Sequence, residues 1–95
     1  MLTPKNKALL KKLATPLSPS LTIGKGPVDS SLIMVVDKAL TAHELIKVKV
    51  LVNQKEELES LAKTLGETTH SDVVEIIGRI LILYRPREKN PLIVL

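Results

Sequence analysis

The stretch best suited to hold a charged ligand is Leu21-Thr22-Ile23-Gly24-Lys25-Gly26-Pro27-Val28-Asp29. A short apolar strand enters a glycine-rich turn, and Asp29 is placed to cap the helix that Ser30-Ser31 and a periodic apolar run begin. Gly24 and Gly26 permit backbone conformations closed to other residues and let a second backbone come close. With Lys25 between them and a helix N-terminus beyond, the turn offers the N–H donors and positive charge that a phosphate group needs. An ordinary strand-to-helix turn uses the same residue types. The Gly-Lys-Ser/Thr continuation of a nucleotide-binding loop is absent.

Two other places carry titratable groups side by side, His43-Glu44 and His70-Ser71-Asp72. Their spacing matches no common metal-ligand pattern, and no nucleophile–base–orienter set accompanies them. The chain holds no cysteine, which excludes disulfides, thiolate zinc sites and a cysteine nucleophile. We therefore expect no catalytic residue, no metal site and no cofactor, and a function other than that of an enzyme.

Charge is unevenly spread. Residues 1–28 hold Lys5, Lys7, Lys11, Lys12 and Lys25 and no acid, residues 29–76 hold five lysines against nine acids, and residues 77–95 hold Arg79, Arg85, Arg87 and Lys89 against Glu88. Two basic ends flank an acidic middle. If folding joins the ends, one face is basic and the back acidic, as in a nucleic-acid binder. With Tyr84 as the one aromatic residue, stacking on several exposed rings is impossible. Recognition would lean on phosphates, shape and 2′-hydroxyls.

The elements that would position these groups can be read from spacing. Thr3-Pro4 predicts a helix start and Leu9, Leu10, Leu13 and Ala14 one buried arc, with Lys5, Lys7, Lys11 and Lys12 outside it. Leu32, Val35, Val36, Ala39 and Leu40 predict the buried face of a second helix that ends near His43. Residues 45–52 alternate as a strand, with Ile46, Val48, Val50 and Val52 inward and Lys47 and Lys49 on the other face. Asn53 and Glu56 resemble a capping box, Leu58, Leu61, Ala62 and Leu65 the stripe of a third helix, and Gly66 its stop. Residues 73–86 read as a hairpin turning at Gly78-Arg79, and Leu92–Leu95 as an edge segment or a loose end. The order is α-β-α-β-α-β-β in one domain spanning residues 1–95, and its two βα crossovers favour parallel pairing. No apolar run approaches a membrane span and the first residues do not begin a signal peptide, so a cytoplasmic protein is the simplest expectation.

Leu17-x-Pro19, Ile23-Gly24-Lys25-Gly26-Pro27-Val28, His43-Glu44-Leu45-Ile46-Lys47-Val48 and Ile77-Gly78-Arg79-Ile80-Leu81-Ile82-Leu83-Tyr84-Arg85 resemble, in order, the CRM-domain family of YhbY-like RNA-binding proteins. The resemblance implies an α/β fold like the C-terminal domain of bacterial translation initiation factor three, with a four-stranded mixed sheet packed against helices. It also implies binding to ribosomal RNA in precursors of the large subunit and a part in ribosome assembly. The family's glycine-x-x-glycine loop maps onto Gly24, Lys25, Gly26 and Pro27, where proline replaces the second glycine and removes an N–H. The family's basic surface maps onto Lys5, Lys7, Lys11 and Lys12, with Lys47, Arg79 and Arg85 as further candidates. The expected partner is RNA, with no membrane and no small-molecule substrate. The competing expectation is a factor that docks on a ribosomal or assembly protein through the acidic middle.

Overall fold

A computed structural model describes residues 2–24, 28–52, 54–93 and 95. The elements are α1 (Pro4–Ala14), β1 (Leu21–Ile23), α2 (Ser30–His43), β2 (Leu45–Val50), α3 (Lys55–Thr69), β3 (Asp72–Ile77) and β4 (Ile80–Tyr84), in the predicted order. The strands form one mixed sheet ordered β1-β2-β4-β3. β1 and β2 pair in parallel, whereas β4 lies antiparallel to both of its neighbours. The second crossover therefore does not make β2 and β3 neighbours, because the hairpin inserts β4 between them.

Alternation in the strands divides the interior in two. Ile46, Val48, Val50, Leu81 and Leu83 point to α2 and α3, where they meet Val36, Leu40, Leu58, Ala62 and Leu65. Leu45, Ile82 and Tyr84 point the other way, onto Leu10 and Ala14 of α1. Each fully buried aliphatic side chain of this kind contributes about 1.5–3 kcal/mol over leaving it in water. A bulge in β3 between Val73 and Glu75 turns both Val74 and Glu75 towards α1.

The helix starts are built as expected at two of three places. The Thr3 hydroxyl accepts from the Asn6 N–H at 3.1 Å, and the Asp29 carboxylate from the Leu32 N–H at 2.8 Å. α3 differs, because Gln54 holds the cap position and makes no side-chain capping bond, while Asn53 lies outside the described residues. Gly66 does not stop α3, which runs one turn further to a left-handed cap at His70 (φ 55°, ψ 42°). Gly66 is there for close approach, since a Cβ would sit 3.2 Å from the Ser71 carbonyl and 3.4 Å from Val73 Cγ2. β2 ends at Val50 rather than Val52, and the Leu51 N–H still donates to the Ile23 carbonyl.

Two apolar faces are narrower than their periodicity predicts. Leu9 and Leu13 are 38% and 41% exposed, and Val35 is 51% exposed. α1 crosses its face of the sheet with no second helix beside it, so only Leu10 and Ala14 go under. α2 packs on β2 and α3, and its outer flank, with Val35, is left uncovered.

Candidate nucleic-acid interface

The C-terminal ends of β1, β2 and β3 all lie at one end of the sheet. Gly24 after β1, the segment after Val50 and the Gly78-Arg79 turn therefore lie there together. Gly78 takes φ +58°, and the Arg79 carbonyl accepts from the Val50 N–H at 2.8 Å, which ties the hairpin tip to β2. Gly24 is exposed, with open space where a Cβ would stand. Lys25, Gly26 and Pro27 lie outside the described residues.

The two sides of this end differ in charge. On the helical side a groove of about 620 Å³ runs from Gly24 and Val28 to α3, and Glu56 and Glu57 line it. On the α1 side, Lys49 stands directly beside Thr22 across the β1–β2 pair. A polyanion at Gly24 is repelled from the first side and drawn to the second.

All four α1 lysines are exposed, as the sequence predicts. Lys5 and Lys12 lie on the crest, and Lys7 and Lys11 on the flank that faces β3. Lys11 is committed to Glu75 at 2.9 Å, with both side chains partly open to solvent. Hydrogen bonding and charge from Lys11, helped by the Ile76 N–H and by Lys7, hold the Glu75 carboxyl below its ordinary range. Among the described residues, Lys5, Lys7, Lys12 and Lys49 form no ion pair.

Three further candidates have partners within the fold. The Lys47 ammonium donates to the Thr15 carbonyl at 3.2 Å and closes the C-terminus of α1. Arg79 stands exposed at the hairpin tip, with partners of its own. The Arg85 guanidinium reaches Asp37 Oδ1 at 2.6 Å, the Thr69 carbonyl at 2.8 Å, and the Asp37 carbonyl and the Thr41 hydroxyl at 3.0 and 2.8 Å.

Next to Arg85 lies a cluster that sequence reasoning did not assemble. Arg87 donates to the Thr41 and Ala42 carbonyls, which are open acceptors at the end of α2. Glu44 is fully buried at φ 62° and accepts from the backbone N–H groups of Leu92, Ile93 and Arg87 at 2.7, 3.1 and 3.4 Å. Burial alone would push its carboxyl up, but these three donors and the Arg87 charge outweigh it and hold the group below the ordinary carboxylate range. The chain after β4 is thus strapped to the body, and Ile93 packs beside the α1 core. Both arginines turn to α2, so these two charges of the C-terminal basic end do not join the lysines of α1. Tyr84 is 3% exposed, a core residue whose hydroxyl is pushed up by burial and by the Glu44 and Asp72 charges. Neither histidine takes part in these bonds: His43 is exposed as the last residue of α2 and His70 is exposed as the cap of α3.

Lys49 is the residue missing from the sequence-based set. Its signal was present, since it alternates with Val48 and Val50 as Lys47 does with Ile46 and Val48. Alternation assigns both lysines to one face but cannot say that the end of α1 occupies Lys47 and leaves Lys49 open.

A mixed four-stranded sheet with α1 on one face and α2 and α3 on the other, with exposed lysines on the α1 side, defines a small α/β module. Residues 2–85 match the CRS1/YhbY (CRM) domain model, and the chain belongs to that family. It is 39% identical over 90 residues to YqeI of Bacillus subtilis, named a probable RNA-binding protein, covering 95% of this chain and 94% of that one. A Haemophilus influenzae protein named RNA-binding protein is 36% identical over 88 residues, covering 93% of this chain and 89% of its own. The solution structure of SAV1595 from Staphylococcus aureus superposes with a TM-score of 0.86 at 41% identity, covering 100% of this chain and 99% of that one.

Proposed function

We propose that the protein binds structured RNA, specifically ribosomal RNA in precursors of the large subunit, and acts in ribosome assembly in the cytoplasm as a non-enzymatic, single-domain factor. The phosphate backbone lies on the turn Gly24, Lys25, Gly26 and Pro27 and continues along the α1 side past Lys49 to Lys5, Lys7 and Lys12. Lys11 joins when it leaves Glu75, and Arg79 borders the path at the hairpin tip. Lys47 and Arg85 act beneath the surface, holding α1 and α2 in place.

One observation carries this reading: beside the end of β1, Lys49 stands open on the α1 face, while Glu56 and Glu57 line the groove next to Gly24 on the other. The absence of an exposed aromatic ring supports recognition through backbone and shape. The names of the relatives support RNA as the partner, and the family resemblance supports the ribosomal precursor.

The test compares Gly26→Asp with Lys63→Asp, a change on the exposed surface of α3. Gly26→Asp puts a negative charge and a side chain where a phosphate should come close. In gel shifts with ribosomal RNA fragments it should weaken binding about tenfold more than Lys63→Asp, while urea melts show both variants folded. Equal losses would remove the turn from the interface. Crosslinking in cells should place the protein on large-subunit precursor RNA, and crosslinks confined to other RNAs would refute the ribosomal assignment.

A further inference from the structure

Beyond the reach of α1, the sheet carries one row of side chains that crosses all four strands. Thr22 pairs with Lys49, Lys49 with Ile80, and Ile80 with Ile77, so the four lie in register from β1 through β2 and β4 to β3. Alternation sets them all on the α1 face: Leu21, Ile23, Val48, Val50, Leu81 and Ile76 beside them point to α2 and α3, and Ile82 points to α1. Thr22 and Lys49 are exposed, Ile80 is half-buried, and Ile77 is 55% exposed although it is a strand isoleucine. At the usual strand spacing the row is about 14 Å wide. It begins two residues before Gly24 and ends beside the hairpin tip.

We infer that this row is a second RNA contact, which takes the ribose edge of a double-helical segment whose phosphates are held at the Gly24 turn. The inference rests on the RNA-binding reading above and extends it to a substrate class. A duplex fits for three reasons. The row presents no ring on which an unpaired base could stack, which disfavours single strands. The wide, shallow minor groove of A-form RNA exposes riboses and 2′-hydroxyls to a flat surface. Each side chain in the row has a matching group there: Ile77 and Ile80 the apolar ribose faces, the Thr22 hydroxyl a 2′-hydroxyl, and Lys49 a phosphate. The acid of β3 on this face, Glu75, is paired with Lys11 at 2.9 Å, which leaves Lys49 as the open charge of the row.

The experiment uses the full chain and three probes: a blunt RNA stem, the same stem in DNA, and an unpaired RNA strand of equal length. Anisotropy titrations should rank them in that order. Thr22→Val should cut the RNA-over-DNA preference about threefold to tenfold and leave the salt dependence unchanged. Lys49→Gln should lower the log–log salt slope by about 0.7–0.9, the share of one phosphate contact. Ile77→Ser should weaken stem binding about threefold to tenfold at unchanged slope. All three positions are exposed, and urea melts matching the wild type confirm the fold. If Thr22→Val, Ile77→Ser and Lys49→Gln all bind like the wild type while Gly26→Asp fails, the row is not a contact and the RNA-binding reading stands. A wild type that prefers the unpaired strand overturns the duplex assignment. A wild type that binds none of the probes overturns the RNA reading itself.

Discussion

Cations gather in two regions of this molecule and serve opposite ends. Around the C-terminus of α2, Arg85, Arg87, Asp37 and Glu44 bond to one another's elements, and their charges are consumed in closing the fold. On the α1 face, Lys5, Lys7, Lys12 and Lys49 stand in solvent. The sequence counts all of these charges alike. What separates them is geometry: a planar guanidinium with several fixed donors suits helix ends and carboxylates, while a single ammonium on a flexible stem stays hydrated and mobile. A polyanion gains only from charges that the fold has left open.

The largest effect that can break this contrast comes from Glu44→Ala. It removes the acceptor of the Leu92, Ile93 and Arg87 N–H groups and should cost about 1–3 kcal/mol in urea melts, with RNA affinity unchanged. Because the folded carboxyl lies below its ordinary value of 4.5, the wild-type advantage should be full above about pH 4.5. The share that depends on the ionised carboxylate should be lost as pH falls through the lower folded value. An advantage that did not shrink at all in acid, or a loss of RNA binding at full stability, would place Glu44 outside the strap assigned to it.

A smaller effect sharpens the border between the regions. Glu75→Gln releases Lys11 without altering the bulge, and should raise RNA affinity about twofold at low salt. No gain would mean that Lys11 faces away from the bound RNA. The smallest effect belongs to Lys47→Gln, whose ammonium is spent on the Thr15 carbonyl. We expect RNA affinity within about twofold of wild type and a stability loss of about 0.5 kcal/mol. A large loss of affinity would move Lys47 to the open set.

The element order was legible because each signal is local: Thr3 and Asp29 cap their helices as read, and Gly78-Arg79 turns the hairpin. The errors arise where a distant neighbour decides. Gly66 reads as a stop, yet the return of the chain past Ser71 and Val73 requires it inside the helix. Leu9, Leu13 and Val35 fit a helical stripe, but exposure depends on whether another element lies over that flank. β2 and β3 follow a crossover, and only the hairpin's docking shows that β4 takes the place between them. The candidate site was legible in kind, as a glycine turn with lysines, but not in membership. Arg85 and Lys47 look like surface cations until Asp37 and Thr15, far away in sequence, are seen beside them. Lys49 and the row it belongs to depend on register, which alternation alone does not fix across four strands.

The central claim, that the open lysines of the α1 face meet RNA phosphates, is tested most directly by salt. The affinity of the wild type and of the Lys7→Gln, Lys12→Gln, Lys49→Gln triple variant for one blunt RNA stem should be measured across a salt titration. Three lost phosphate contacts should lower the magnitude of the log–log slope by about 2–3, with urea melts nearly unchanged. Equal slopes for the two proteins would contradict the account and place the RNA, or another partner, on a different face.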